Sequence, residues 1–240
     1  MKIREKIMMD KAGLERFGPI NIVIFGDSVS HGAVNGYIDY EGVYWNRLKK
    51  KMNAFRDYIP VNMINSSIGG TTASASVSRL DSQVLKHGPD LVIVCFGLND
   101  VNGALNSYTG ALRTIFSACQ AAGTELIFMT PNMLNTRLAP DTPKEHFEYA
   151  KKTAEMQNGG KMDEFMSAAV SLATEMGVTV CDCYAEWKAL SKSEDVTLRL
   201  ANRINHPTTE MHELFATKLY ELILGEPSES KSSDSTMYKE

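Results

Sequence analysis

The sequence predicts an α/β fold, a parallel sheet with helices on both faces. Two observations predict it. Five apolar runs are short, continuous and mostly rich in Val and Ile, as strands covered on both faces should be. Helical patterns fall between them, and strand–helix alternation is the mark of a parallel sheet joined by crossovers.

The strands are expected at Ile20 to Phe25, Ile59 to Ile64, Leu91 to Phe96, Glu125 to Met129 and Val178 to Cys183. The first helix is expected over Gly42 to Phe55. A second should run from Ala73 to Lys86 and stop at His87-Gly88-Pro89. In the third, Tyr108, Leu112, Ile115, Phe116 and Cys119 make one apolar stripe that Gly123 terminates. Thr142-Pro143-Lys144-Glu145 reads as a capping box with Pro at the first helical position, opening a helix towards Gln157. Asn158-Gly159-Gly160 breaks that helix, and another follows to Met176. The last carries Met211, Leu214, Phe215, Leu219 and Leu222 on one face. No repeat or linker interrupts residues 1–225, which are read as one domain. The tail from Glu226 to Glu240 is Ser-rich, charged and poor in apolar residues, and is expected to be disordered.

Composition excludes several function classes. The formal charge is −4 and dispersed, so neither a basic nucleic-acid footprint nor a polybasic membrane patch is present. Met1 to Pro19 lacks the apolar stretch of a signal peptide, and no run approaches the length of a membrane-spanning helix. The expectation is a cytoplasmic protein with no nucleic-acid or membrane partner. Cys95, Cys119, Cys181 and Cys183 are expected to be reduced structural thiols, since the extended chain holds a Cys-x-Cys pair too far apart for easy bridging. No Cys or His set has zinc spacing. His206 and His212 lie six apart, unlike the His-Glu-x-x-His metal motif, so no metal or cofactor is expected.

In open α/β sheets ligands bind beyond the carboxyl ends of the strands. Three expected strands end in unusual polar segments: Gly26-Asp27-Ser28, Asn65 to Thr71, and Gly97-Leu98-Asn99-Asp100. A fourth segment, Asn205-His206-Pro207, precedes the last helix. Together they supply the parts of an acyl-transfer site. Ser28 offers a hydroxyl nucleophile, which needs a base, and His206 is a suitable one. The backbone N–H groups of Ser28 and Gly70 and the side-chain amide of Asn99 could donate to an oxyanion.

These four segments resemble, in order, the four blocks of the SGNH (GDSL-type) hydrolase family, over about residues 20 to 220. Any one block is weak and the four together are specific. The resemblance implies a three-layer α/β/α sandwich, flavodoxin-like, with about five parallel strands. It implies Ser28 as nucleophile, His206 as base, and Ser28, Gly70 and Asn99 as oxyanion donors. Its substrates are small-molecule acyl esters of sugars, lipids and small alcohols, and sometimes thioesters. One position departs from the pattern. The family usually has Asp three residues before the histidine, and here that residue is Arg203. Three replacements are open: a backbone carbonyl such as that of Arg203, the amides of Asn202 or Asn205, or an acid reaching in from elsewhere, with Asp182 and Asp195 as candidates. A Ser-His dyad oriented by a backbone carbonyl is the favoured one.

Plainer readings stand beside these. Ser28 could cap the following helix, a job for which Asp27 competes. Asp27 and Asp100 suit loop bonding better than catalysis. Asn99 could be a turn residue. His31 follows Ser28 closely and could line the pocket, though an exposed loop is favoured, and His87 and His146 read as solvated. Tyr37, Tyr40, Tyr44 and Trp45 could wall a sugar or acyl pocket or pack in the core, and Pro131 to Asp141 could form a lid or substrate loop. The functions that follow are a serine ester hydrolase favouring acetyl esters of carbohydrates, a lysophospholipase or acyl thioesterase, and an impaired ligand-binding domain suggested by Arg203. A nucleotide-binding flavodoxin-like protein is disfavoured because the first loop lacks a phosphate-binding glycine pattern. The Gly-x-Ser-x-Gly elbow of α/β-hydrolases is absent too, since Gly26-Asp27-Ser28-Val29-Ser30 lacks the second glycine.

Overall fold

The computed structural model describes residues 2–56 and 58–225. The tail from 226 to 240 lies outside the described residues. Five strands, β1 (Ile20–Gly26), β2 (Val61–Asn65), β3 (Leu91–Cys95), β4 (Glu125–Met129) and β5 (Thr179–Cys181), form one sheet in the order β2-β1-β3-β4-β5. Every pairing is parallel. Both faces are covered, and that is why β1 and β3 are apolar at nearly every position instead of alternating. The chain leaves β1 towards one edge for β2 and then crosses back to β3. The break in strand order therefore falls between β1 and β3, whose ends meet in register at Gly26 opposite Cys95. That is where this topology opens a crevice.

The helices are α1 (Lys2–Ile7), α2 (Lys11–Phe17), α3 (Ser28–His31), α4 (Tyr44–Phe55), α5 (Ala73–Ser76), α6 (Leu80–Gln83), α7 (Leu105–Ala121), α8 (Phe147–Asn158), α9 (Lys161–Glu175), α10 (Cys183–Leu190) and α11 (His212–Leu224). α1, α4 and α11 pack together over one face, and α5, α7 and α9 over the other. The expected stripe of α7 is buried, with Phe116 edge-on to Phe128 of β4 at 5.6 Å between ring centroids. Each such fully buried side chain contributes about 1.5–3 kcal/mol relative to exposure. No helix of the described residues is long and apolar enough to cross a membrane.

The differences from expectation have local causes. Residues 73–87 form two single turns of α-helix and two 3₁₀ turns, not one helix. Thr72 caps α5 through Ala75 N–H, and Arg79 folds back onto the Ser66 carbonyl, so local polar bonding competes with a continuous helix. The capping box at Thr142 does not form. The Thr142 hydroxyl is buried without a partner, a 3₁₀ turn (Lys144–His146) intervenes, and α8 starts at Phe147. β5 ends before Cys183, because Asp182 caps α10 by accepting the Ala185 N–H at 3.1 Å. In α11, Phe215 and Leu219 reach the core while Leu222 is 36% exposed. α1 and α2 lie in a stretch that read only as mixed and charged, and they seat Ile3, Ile7 and Leu14 in the interior. All four cysteines are free and buried, with the Cys181 and Cys183 sulfurs 3.7 Å apart.

Candidate active site

β1 delivers its last residues to the crevice. Asp27 follows as the N-cap of α3, accepting the Val29 N–H at 3.0 Å. Because Asp27 takes the capping role, the Ser28 hydroxyl at the first helical position is left for another partner. That partner is His206, whose Nε2 lies 3.0 Å from Ser28 Oγ. Its other ring nitrogen, Nδ1, lies 3.0 Å from the backbone carbonyl of Val34. A carbonyl can only accept, so Nδ1 carries the proton and Nε2 presents a lone pair to the serine hydroxyl. Burial holds the imidazole below its ordinary pKa, and the Val34 bond opposes part of that fall.

The carbonyl that meets the ring is thus Val34, not that of Arg203. The other residues weighed for the task lie elsewhere. Arg203 adopts a left-handed conformation, φ 59°, and its guanidinium pairs with Asp141 at 2.9 Å and bonds the carbonyls of Leu198 and Leu200. Asp182 binds Thr130 Oγ1 at 2.9 Å as it caps α10. Asp195 caps a 3₁₀ turn (Val196–Arg199) and pairs with Arg137. Asn202 serves the loop instead of the ring. Its Oδ1 accepts the N–H groups of Ile204, Asn205 and His206 at 3.1, 3.0 and 2.9 Å, and its Nδ2 donates to Asn205 Oδ1.

The donors expected for an oxyanion converge on the same crevice. Gly70 has φ 76°, a conformation costly for residues with a side chain, and open space where a Cβ would sit. Neither its N–H nor that of Ser28 has a hydrogen-bond partner among the described residues. The Asn99 amide donates one hydrogen to the Thr71 carbonyl at 3.0 Å, which fixes its orientation and leaves a second N–H. Beneath these groups sit two buried acids. Asp100 Oδ1 accepts the Ala73 N–H at 2.9 Å and so ties the segment after β3 to the one after β2. Burial pushes Asp27 up to about 7 and Asp100 up to about 6, and each keeps one oxygen without a partner.

Ser28, Gly70, Asn99 and His206 line a cleft of about 470 Å³ whose far wall is made by Asn35 and Gly36, Asn202, Ile204 and Asn205, and His146 and Tyr149. Among the described residues no Lys, Arg, Asp or Glu lines it. Among the described residues no group of three or more His, Cys, Asp or Glu could hold a metal ion. His146 is exposed, as expected, and with Tyr149 it lines the cleft; neither was legible as a cleft residue, because only the turn before α8 aims them there. The aromatic cluster after β1 divides. Tyr44 is buried with its hydroxyl on Ser30 at 2.8 Å, Trp45 donates to the Ser30 carbonyl, and Tyr37 and Tyr40 are exposed. Pro131 to Asp141 is a buttress more than a lid: Asn132 donates to the Asn205 carbonyl at 2.9 Å and Asn135 N–H to that of Ile204.

A serine hydroxyl on a strand-to-helix turn, a histidine on it and convergent N–H donors are the parts that an esterase working through serine requires. Residues 24–214 match the model of the GDSL-like lipase/acylhydrolase family, and the chain belongs to that family of carboxylic ester hydrolases. Solved structures agree in fold. Axe2, an acetylxylan esterase from Geobacillus stearothermophilus, is 18% identical, with a TM-score of 0.67 over 86% of this chain and 94% of that one. LAE5, an α/β hydrolase enzyme from the metagenome of Lake Arreo, Spain, is 17% identical, with a TM-score of 0.67 over 87% and 97%. A GDSL-like lipase from Parabacteroides merdae is 16% identical, with a TM-score of 0.68 over 86% and 95%. No curated protein sequence matches this chain.

Proposed function

We propose that this protein hydrolyses short-chain acyl esters, acetyl esters above all, of neutral polar alcohols such as carbohydrates, through an acyl-Ser28 intermediate. The observation that carries the reading is the contact of Ser28 Oγ with the unprotonated Nε2 of His206 at 3.0 Å, at the mouth of an uncharged cleft. His206 takes the hydroxyl proton as Ser28 Oγ bonds to the ester carbonyl carbon. The oxyanion that forms is held by the Ser28 and Gly70 N–H groups and the free N–H of Asn99. Collapse breaks the bond to the alcohol oxygen, which leaves with the proton from His206. Water then adds to the acyl-enzyme, giving its proton to His206, and the carboxylic acid departs as the proton returns to Ser28 Oγ.

The lining bears on the leaving group. A cleft of about 470 Å³ is far larger than an acetyl group requires, so most of it is left for the alcohol. Its wall offers amides, an imidazole, a phenol and backbone, suited to hydroxyl groups and a ring face. A phosphocholine or coenzyme A leaving group would meet no countercharge there, which disfavours the lysophospholipase and thioesterase readings. The acetylxylan esterases among the structural neighbours fit the same substrate class.

The test is hydrolysis of p-nitrophenyl acetate, butyrate and octanoate by wild type and Ser28→Ala, followed by acetylated xylo-oligosaccharides. Turnover should fall with chain length, and kcat should drop by about 10⁶ in the variant. Equal near-background rates in both proteins, with no covalent labelling of Ser28 by an organophosphonate, would replace the enzyme with a binding domain.

A further inference from the structure

A carbonyl oriented towards a catalytic histidine cannot be deleted by substitution, so whatever holds its backbone determines the dyad. Val34 lies in a tight antiparallel turn. Ala33 bridges Ile38, Val34 N–H donates to the Tyr37 carbonyl at 3.0 Å, and Asn35-Gly36 makes the corner with Gly36 at φ 78°. In a two-residue hairpin closed on both sides the Val34 carbonyl would accept the Tyr37 N–H. Here it meets His206 instead. At its base the turn hangs from the nucleophile, because the Ser28 carbonyl accepts the N–H groups of both Gly32 and Ala33.

The far end of the turn is Asp39. Its backbone N–H closes the turn on the Gly32 carbonyl at 2.8 Å. Its carboxylate accepts the Gly42 N–H at 2.7 Å and the Thr209 hydroxyl at 2.9 Å. Thr209 stands three residues after His206. Arg47 fastens the same two segments a second time, donating to the Gly42 carbonyl at 2.6 Å and to the Thr209 carbonyl at 3.1 Å. The junction is too close for any side chain at position 42. A Cβ there would lie 2.2 Å from Asp39 Oδ2 and 2.5 Å from Thr209 Cγ2.

We infer that Asp39, through Thr209, is a positioning residue for the dyad: it clamps the turn that carries the Val34 carbonyl to the loop that carries His206. This rests on the hydrolase reading above. Asp39 touches neither the ring nor the cleft. It acts by fixing the separation between the carbonyl and Nδ1, the task a family acid three residues before the histidine would perform directly.

The test uses Thr209→Val, Thr209→Ser and Asp39→Ala in the full chain, with ester turnover and an NMR titration of His206 as readouts. Asp39, Arg47, Glu210, His212 and Glu213 are titratable neighbours of the ring and the clamp, and Thr209→Val removes the charge of none of them. Loss of the clamp should weaken the Val34 bond, which holds the ring pKa up, so the His206 midpoint should fall in Thr209→Val and return in Thr209→Ser. Turnover should drop about 10–100-fold in Asp39→Ala and less in Thr209→Val, with KM little changed. Wild-type midpoint and kcat in Thr209→Val and Asp39→Ala alike would overturn the clamp. Should Asp39→Ala not fold, the Val and Ser pair decides alone. A wild type that neither hydrolyses ester nor labels at Ser28 sinks the hydrolase reading, while the titration still decides whether Asp39 and Thr209 set the ring.

Discussion

On one side of the cleft, Ser28, Gly70 and Asn99 stand on the ends of three neighbouring strands, with the acids Asp27 and Asp100 buried beneath them. On the other, His206 stands on an irregular loop that amides fasten: Asn202 from within, Asn132 and the Asn135 backbone from behind, the Val34 carbonyl in front. The first side is held by carboxyl groups whose pKa burial raises, Asp27 to about 7 and Asp100 to about 6, each spending one oxygen on a backbone N–H of a segment that lines the cleft. On the second side the groups that meet the His206 ring and its loop directly are a backbone carbonyl and amides, and the acid of the clamp, Asp39, stands behind them on Thr209. On the proposed mechanism the histidine gains and loses a proton in each turnover while its Nδ1 faces a carbonyl, which carries no charge of its own. If the proposed dyad is right, the comparison teaches that a well-anchored carbonyl dipole can stand where an orienting acid usually does.

The largest effect available on the strand side comes from Asn99→Ala. It removes a donor whose direction the Thr71 carbonyl fixes, and kcat should fall about 10²–10³-fold, or about 2.7–4 kcal/mol. KM for a small acetyl ester should change little, since the oxyanion exists only beyond the ground state. An unchanged kcat would take Asn99 out of the oxyanion site and leave the Ser28 and Gly70 N–H groups to act alone.

The histidine side is probed by pH. His206 must be unprotonated to accept the serine proton, so kcat/KM should be constant at high pH and fall about tenfold per unit below the pKa of the ring. Burial lowers that pKa, so the midpoint should lie under the ordinary imidazole value of 6.5. A neighbouring carboxylate would stabilise the imidazolium and move the midpoint up. A midpoint well above 6.5 for the His206 ring itself, read by NMR so that Asp27 is not mistaken for it, would mean that an acid reaches the ring in solution, and the contrast between the two sides would dissolve.

The strand side was the more legible in sequence, for a physical reason. Strand ends are placed by the hydrophobic pattern itself, so Gly26-Asp27-Ser28 and Gly97-Leu98-Asn99 could be set at the carboxyl ends of strands from the apolar runs preceding them, while the adjacency of those strands came only with the structure. The histidine loop has no periodicity. Its shape follows from Asn202 accepting three backbone N–H groups and from Arg203 turning left-handed, neither of which leaves a pattern in the chain. Val34 was invisible for a further reason: its contribution is a carbonyl, which every residue has. Asn35-Gly36 was the available signal, a hairpin corner between apolar neighbours, a few residues after the nucleophile. α1, α2 and α10 were missed because short helices with few apolar positions carry weak periodicity.

The smallest effects expected are those of the acids once weighed as partners of the histidine, and they discriminate most sharply between a dyad and a hidden triad. Arg203→Asp restores the usual family residue at its usual place. In this chain position 203 has φ 59° and points its side chain at Asp141 and the carbonyls of Leu198 and Leu200, away from Nδ1, which Val34 already occupies. The substitution should therefore leave kcat within about threefold and change stability little, because the lost Asp141 pair is solvent-exposed and screened. Asp182→Asn and Asp195→Asn should also leave kcat within about threefold, because their carboxylates serve helix and turn caps remote from the ring. A gain of tenfold or more in Arg203→Asp would show that the loop can turn its side chain inward and displace the Val34 carbonyl. The dipole would then be a substitute that a carboxylate readily outcompetes, and the tight anchoring of the turn at residues 33–38 would lose its catalytic meaning.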